Sequence, residues 1–314
     1  MKRALVTGGT GFVGANLVRR LLCDGHTVHL LVRPGYRSWR LDEIRADVQL
    51  HEVELADAER LTTLLKIIRP DWIFHLAVHG AYSDQTDVRQ IVQTNILGTI
   101  NLVQAALAVG FAAFINTGSS SEYGYKDHAP TETTWLDPNS YYAVTKAAAT
   151  LFCRYTAQHY QVCLPTLRLY SVYGPYEEPK RLIPTLIRHG LQGQLPPLVN
   201  PDIARDYVYI EDVLDAYLLA CTTSPSERGA VYNVGTGVQT SLREIVAIAR
   251  QQLQIPAEPQ WGTMPDRQWD TTVWVADSRK LQHDLGWQPR YDLATGFQAT
   301  LDWQRSPAAR LSQP

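Results

Sequence analysis

The sequence predicts an α/β protein: a Rossmann-type, doubly wound parallel sheet with a smaller α/β C-terminal lobe for substrate. Two observations carry this. The apolar run Ala4-Leu5-Val6 leads straight into Thr7-Gly8-Gly9-Thr10-Gly11-Phe12-Val13-Gly14, after which Val13, Leu17 and Leu21 recur at helical spacing until Asp24-Gly25. Strand, glycine-rich turn and helix in that order let a backbone approach a pyrophosphate, with the helix N-terminus facing the anion. Gly8, Thr10, Gly11, Phe12 and Val13 are therefore the first candidates for dinucleotide binding. Secondly, strand-like runs alternate with helical patterns up to about residue 170, and the rhythm is lost beyond it. The expected division is 1–170 for the dinucleotide, with some later segments returning to it, and 171–314 mainly for substrate.

Thr27 to Val32 reads as the second strand. Its end is Val32-Arg33, with Arg37 and Arg40 close behind. No carboxylate stands there to accept from a ribose 2′-hydroxyl, whereas a guanidinium grips a 2′-phosphate through paired donors. NADP(H) is favoured on this ground, with NAD(H) as the alternative. Val48 to Val53 reads as the third strand, and Glu54-Leu55 follows it at the expected adenine edge. Ala58 to Ile68 has helical periodicity, broken by Pro70-Asp71. Trp72 to Ala77 is a buried fourth strand that brings Leu76 and Ala77 to the cofactor. His75 and His79 at its end read as packing or loop hydrogen-bonding residues, since no third ligand gives them metal-like spacing.

Val88 to Val109 is expected as one long helix, stopped by Gly110. Phe111 to Thr117 is the fifth strand, and it runs into Gly118-Ser119-Ser120-Ser121-Glu122-Tyr123-Gly124. Hydroxyls at the C-terminal end of a parallel strand lie where such sheets bind ligands. After Pro138-Asn139-Ser140 comes a helix carrying Tyr142 and Lys146, which share a face at i and i+4. The ammonium is expected to lower the phenol towards neutrality. Pro165 to Leu169 is a sixth strand, leading into Tyr170-Ser171-Val172-Tyr173-Gly174-Pro175. Prolines then gather, and strands are expected to be short and scattered. Ser306 to Pro314 is expected to fray.

Composition narrows the class. With 45% hydrophobic and 19% charged residues the 314-residue chain suits a globular protein with a large core. A formal net charge of -2 gives no reason to expect nucleic acid or an anionic membrane as partner. The four cysteines, Cys23, Cys153, Cys163 and Cys221, form no C-x-x-C pair and no metal pattern, as in a reduced cytoplasmic protein. The N-terminus enters a strand without a signal peptide, and no apolar run is expected to reach the length of a membrane span.

With these residues in hand, the chain resembles the extended short-chain dehydrogenase/reductase family, in the branch that modifies nucleotide-diphosphate sugars. Thr7 to Gly14 resembles its T-G-x-x-G-x-x-G, and Asn95 in Thr94-Asn95-Ile96-Leu97-Gly98-Thr99 matches its helix asparagine. Ser119, Tyr142 and Lys146 match the catalytic positions. Arg205 to Val213 resembles R-D-F-V-Y-V-D-D-V, and Tyr232 to Gly237 resembles a second signature of the same lobe. The resemblance implies that Tyr142 is the acid/base on a sugar oxygen, that Lys146 serves the phenol and the nicotinamide ribose, and that Ser119 holds the same oxygen. It implies substrate contacts at Ser120, Ser121, Ser171, Arg205 and Arg267. It also implies a homodimer through the two long helices, with Ile91, Ile96, Ile100 and Val103 in one and Leu151 and Phe152 in the other.

The family's 4,6-dehydratases carry an Asp-Glu or Ser-Glu pair directly after the catalytic Ser/Thr. This chain has Ser120-Ser121 there, and Glu122 falls one residue late. Together with Arg33, this leans towards an NADPH-dependent 4-keto sugar reductase. A 4-epimerase with tightly held NAD is the alternative, ahead of a 4,6-dehydratase or a non-catalytic NADP sensor.

Overall fold

The computed structural model describes residues 1–82, 84–223, 227–264 and 271–306. Arg267 and the C-terminal stretch from 307, for which substrate contact and fraying are expected, lie outside the described residues.

The chain opens with β1 (Arg3–Thr7), α1 (Phe12–Cys23), β2 (Thr27–Val32), β3 (Gln49–Glu52), α2 (Ala58–Ile68) and β4 (Trp72–His75). It continues through α3 (Val88–Val92), a π turn (Gln93–Leu97), α4 (Gly98–Val109), β5 (Ala113–Ser119), α5 (Tyr141–Tyr160) and β6 (Thr166–Leu169). The later part holds β7 (Ser171–Tyr173), α6 (Leu182–Gly190), β8 (Ala204–Tyr209), α7 (Ile210–Thr222), β9 (Val231–Val234), β10 (Gln239–Ser241), α8 (Leu242–Leu253), α9 (Arg279–Leu285) and α10 (Leu293–Arg305).

Seven strands form a sheet in the order β3-β2-β1-β4-β5-β6-β9, every pair parallel. Chain direction across the sheet reverses between β1 and β4. That switch point opens a crevice at the strand C-termini. Thr7 is in register with Leu31 on one side and His75 on the other, so the glycine turn starts at the crevice. Alternating side chains fill the two faces: Val6, Phe74 and Ile115 join α1 and α7 in one core, while Leu5, Ile73 and Phe114 join α2 and α4 in the other. A separate three-stranded sheet has the order β10-β8-β7. Its β7 pairs parallel with β8, placing Ser171 opposite Tyr207, two residues after Arg205.

The helix expected over Val88 to Val109 is interrupted by the π turn. Tertiary contacts explain the extra residue. A Cβ at Gly98 would stand 2.9 Å from Leu55 Cβ, so the backbone there packs directly on the loop after β3. The Thr99 hydroxyl also closes onto the Asn95 carbonyl at 2.7 Å. By length and composition Val88–Val109 is apolar enough to cross a membrane, contrary to the expectation from sequence. Here it packs along α2 and α5 instead.

Candidate active site

The turn after β1 is built for a close ligand. Gly8 has φ +72°, and a Cβ on it would lie 2.5 Å from the Leu76 carbonyl carbon. A Cβ on Gly14 would lie 2.2 Å from Gly8 O. Only glycine fits at both positions. Gly11 caps α1 without a side-chain hydrogen bond, and no acidic residue sits in the first turn. The first amides of α1, beside Phe12 and Val13, therefore remain available to an anion. Thr10 flanks them, and its carbonyl lies 3.4 Å from Arg40 Nη1.

At the end of β2, Arg33 and Arg37 are exposed, with no ion pair among the described residues. Arg40 behaves differently from the expectation that groups it with them. It is 6% exposed, donates to Tyr176 O at 2.8 Å and pairs with Glu178 at 3.2 Å, so its guanidinium is already engaged inside the fold. Glu54 is exposed; Leu55 packs on Gly98, and its carbonyl accepts from Asn101. Leu76 and Ala77 face Gly8 through their backbone.

Asn95, inside the π turn, is 3% exposed. Its Oδ1 accepts from His79 N–H at 2.9 Å, and its Nδ2 donates to His79 O and Thr145 Oγ1. Thr145 in turn donates to Tyr142 O at 2.9 Å. Sequence reasoning missed Thr145, although its spacing of three from Tyr142 places it on the same helix face.

The N-terminus of α5 presents Tyr142 to the end of β5. The Ser119 hydroxyl lies beside the phenol. Lys146 donates to Thr117 O at 2.7 Å. Burial raises the Tyr142 phenol above its ordinary value, against the neighbouring Ser119 hydroxyl that lowers it, and the Glu122 carboxylate raises it further. The expected lowering by Lys146 is not found: desolvation dominates, and the ammonium turns to a backbone carbonyl. Burial also lowers Lys146, to about 8, with Glu122 opposing.

Glu122 itself is enclosed by the fold. It is fully buried; one oxygen accepts from Ser119 N–H and Thr150 Oγ1, and the other pairs with Arg168 at 2.8 Å. Arg168 also donates to Tyr123 OH, which donates to Asn233 Oδ1. Glu122 and Ser119 form a capping box around the turn Ser120–Tyr123, and this fixes the serine cluster at the crevice.

Trp274 links the serine turn to Arg205 on the second sheet. Trp274 donates its indole N–H to Ser120 Oγ at 3.1 Å, and the Arg205 guanidinium lies 5.4 Å from the Trp274 ring centroid. Arg205 also donates to Ala204 O and Thr271 O. Ser121 is half-buried and donates its backbone N–H to Ser119 Oγ, and Ser171 is half-buried at the start of β7. Trp274 carries no sequence signal, because only the fold brings it to a serine 154 positions away. Asp206 next door is structural: its carboxylate accepts from Thr236, Gly237 and Ala276, which ties the Arg205-Asp206 segment to the Tyr232–Gly237 segment. Among the described residues no group of three His, Cys, Asp or Glu could hold a metal ion.

The family model described as the NAD dependent epimerase/dehydratase family matches residues 4–235. The chain belongs to that family. This epimerase/dehydratase chain is 32% identical to a UDP-glucose 4-epimerase of Mycolicibacterium smegmatis, over 97% of its own length and 99% of the relative's. It is 28% identical to a dTDP-glucose 4,6-dehydratase of Streptomyces griseus, over 95% and 93% of the two chains. Among solved structures, the UDP-glucose 4-epimerase of Thermus thermophilus in complex with NAD superposes with a TM-score of 0.84 at 28% identity, covering 97% of this chain and 99% of that one. The family fold and the resemblance of the motifs to extended short-chain dehydrogenase/reductases thus agree.

Proposed function

We propose that this protein oxidises and re-reduces C4 of a nucleotide-diphosphate sugar, acting as a 4-epimerase on a nicotinamide dinucleotide. The observation that carries this reading is the Ser119–Tyr142–Lys146 constellation with hydroxyls, not carboxylates, at Ser120 and Ser121. A dehydratase needs an acid beside the catalytic serine, and Glu122 is locked on Arg168 with no exposure to the cleft. The family relatives named for 4-epimerase chemistry support the same choice.

In this reading the turn Gly8–Val13 and the α1 N-terminus hold the pyrophosphate. Glu54, Leu55, Leu76, Ala77 and Asn95 border the cofactor. The nicotinamide, when bound, accepts and returns hydride. Tyr142 takes and returns the proton of the C4 hydroxyl, Ser119 holds the same oxygen, and Lys146 supplies positive charge as the phenolate forms. Ser120, Ser121, Ser171 and Arg205 serve the sugar and diphosphate, residues 171–314 act mainly as the substrate lobe, and 1–170 carry the cofactor. The NAD-bound relative favours NAD. A second reading, an NADPH-dependent 4-keto sugar reductase, is favoured by Arg33 and Arg37, whose exposed guanidinium groups suit a 2′-phosphate. The free thiols fit a cytoplasmic setting.

The test is product analysis. Purified protein is incubated with UDP-glucose or UDP-galactose and NAD, and the sugars are resolved by NMR. Interconversion without net cofactor turnover supports the epimerase. Stoichiometric NADPH consumption on a 4-keto sugar, with no interconversion, selects the reductase. A 4-keto-6-deoxy product would overturn the exclusion of dehydration.

A further inference from the structure

His75 lies at the C-terminal end of β4, in the middle of the large sheet, and is 3% exposed. Its Nδ1 is 2.7 Å from Thr7 Oγ1, and its Nε2 is 2.9 Å from Thr99 Oγ1. Counting hydrogens fixes every direction in this pair of contacts. The Thr99 hydroxyl has one hydrogen, and Asn95 O at 2.7 Å can only accept it. The Thr99 oxygen must then accept from His75, so the imidazole carries its hydrogen on Nε2. Burial, helped by the Lys146 charge, lowers this histidine to about 3, so the ring is neutral and Nδ1 is bare. Nδ1 therefore accepts the Thr7 hydroxyl, and Thr7 Oγ1 is left to accept Ala77 N–H at 3.2 Å.

The same count runs on through the neighbouring helices. The Asn95 side chain clamps both polar groups of the His79 backbone and donates to Thr145, which donates to Tyr142 O. Ala77 N–H to Thr7, Thr7 to His75 and His75 to Thr99 form one directed series that reaches Asn95, the residue holding Thr145 under Tyr142. We infer that His75 is a positioning residue: fixed as the neutral Nε2–H tautomer, it couples the Thr7–Ala77 edge of the glycine turn to the Asn95–Thr145 support of Tyr142. No other side-chain type presents an acceptor and a donor on opposite edges of one rigid ring, so each threonine hydroxyl has one allowed direction. The catalytic meaning of this coupling rests on the reading of the site given above, while the tautomer and the coupling themselves do not.

Two measurements on the full chain decide it. Nitrogen-15 NMR of the imidazoles, assigned with His75→Phe, should show His75 as the Nε2–H form, unchanged between pH 5 and 8. An Nδ1–H form, or titration within that range, overturns the inference. The second is a double-mutant cycle of Thr7→Val and Thr99→Val, run with His75 and again with His75→Phe. It is read on NAD affinity and on the backbone carbonyl chemical shift of Tyr142. With His75 present the two substitutions should be non-additive by about fivefold in NAD affinity, and the Tyr142 shift should move with Thr7→Val; with His75→Phe both couplings should vanish. Additive effects with His75 present overturn the coupling. If neither NAD nor NADP binds to the unaltered chain, the reading of the active site fails, and the Tyr142 shift alone decides whether His75 couples the two sides.

Discussion

At the scale of single residues, Tyr142 and Glu122 are two titratable groups that burial and pairing treat differently. Tyr142 is half-buried beside Ser119, whereas Glu122 is fully buried and held by Arg168 and the Ser119 amide. Tyr142→Phe keeps the ring and its packing but removes the transferable proton. Turnover of a confirmed sugar nucleotide should fall by about a hundredfold to ten-thousandfold, the range for general acid–base catalysis, with NAD affinity kept. Stopped-flow turnover and fluorescence titration of the same sample check both halves, and full turnover in Tyr142→Phe would remove it from the chemistry. Tyr123 offers no substitute acid, since its phenol is pushed up to about 12 by burial and already bonds Arg168 and Asn233.

At the scale of elements, the glycine turn and its helix form the unit most sensitive to a single atom. Gly14→Ala would drive a Cβ to 2.2 Å from Gly8 O, a backbone atom that cannot yield cheaply. The turn should open, with NAD binding lost and the melting temperature lowered by several degrees, a shift corresponding to about 1–3 kcal/mol of overpacking. Calorimetry with and without NAD checks this, and an unchanged ligand-induced shift would refute it. The turn was legible because strand, glycines and helix are contiguous. The helices Ala58–Ile68 and Tyr141–Tyr160 were legible too, since Asp57 and Ser140 cap their N-termini and apolar spacing marks their lengths. The π turn was not, because Leu55 and Thr99 impose it from outside the local pattern. Nor was β9, whose place beside β6 comes from pairing Thr166–Leu169 with Val231–Val234. Of the side chains expected at a dimer face, some are exposed and some are not. Ile91 and Val103 turn into the core, while Val92, Leu97, Tyr141, Leu151 and Tyr155 are exposed along α3, the π turn and α5. We propose that this face pairs two copies. Light scattering should give a dimer at micromolar concentration that Leu151→Glu converts to monomer, and a monomeric unaltered chain would count against it.

At the scale of the whole molecule, the segment after β7 docks the later part of the chain onto the glycine turn. Asn16 donates to Pro175 O, and Arg40 reaches Tyr176 O, Glu178 and Thr10 O from the other side. Glu177 is buried in that joint, with Arg181 at 3.6 Å from one oxygen and no hydrogen-bond partner on the other. Burial pushes its carboxyl from the ordinary 4.5 up to about 7, against the pull of Arg181 and the Gly174 contact. The folded chain therefore keeps a proton that the unfolded chain gives up between those two values, and stability from this group falls as pH rises from 4.5 to 7. The full loss is on the order of 3 kcal/mol. His75 acts oppositely over part of the same window: its lowered value makes the unfolded chain bind the extra proton, so its contribution rises with pH up to the ordinary 6.5. The wild-type profile alone is thus a difference of two slopes, and the comparison that isolates the joint is Glu177→Gln, which keeps the shape and removes the ionisation. Urea midpoints at pH 4 and pH 8 should show the variant level with the wild type at pH 4 and more stable at pH 8. Parallel changes in both proteins would mean that Glu177 ionises as freely in the folded joint as in the unfolded chain.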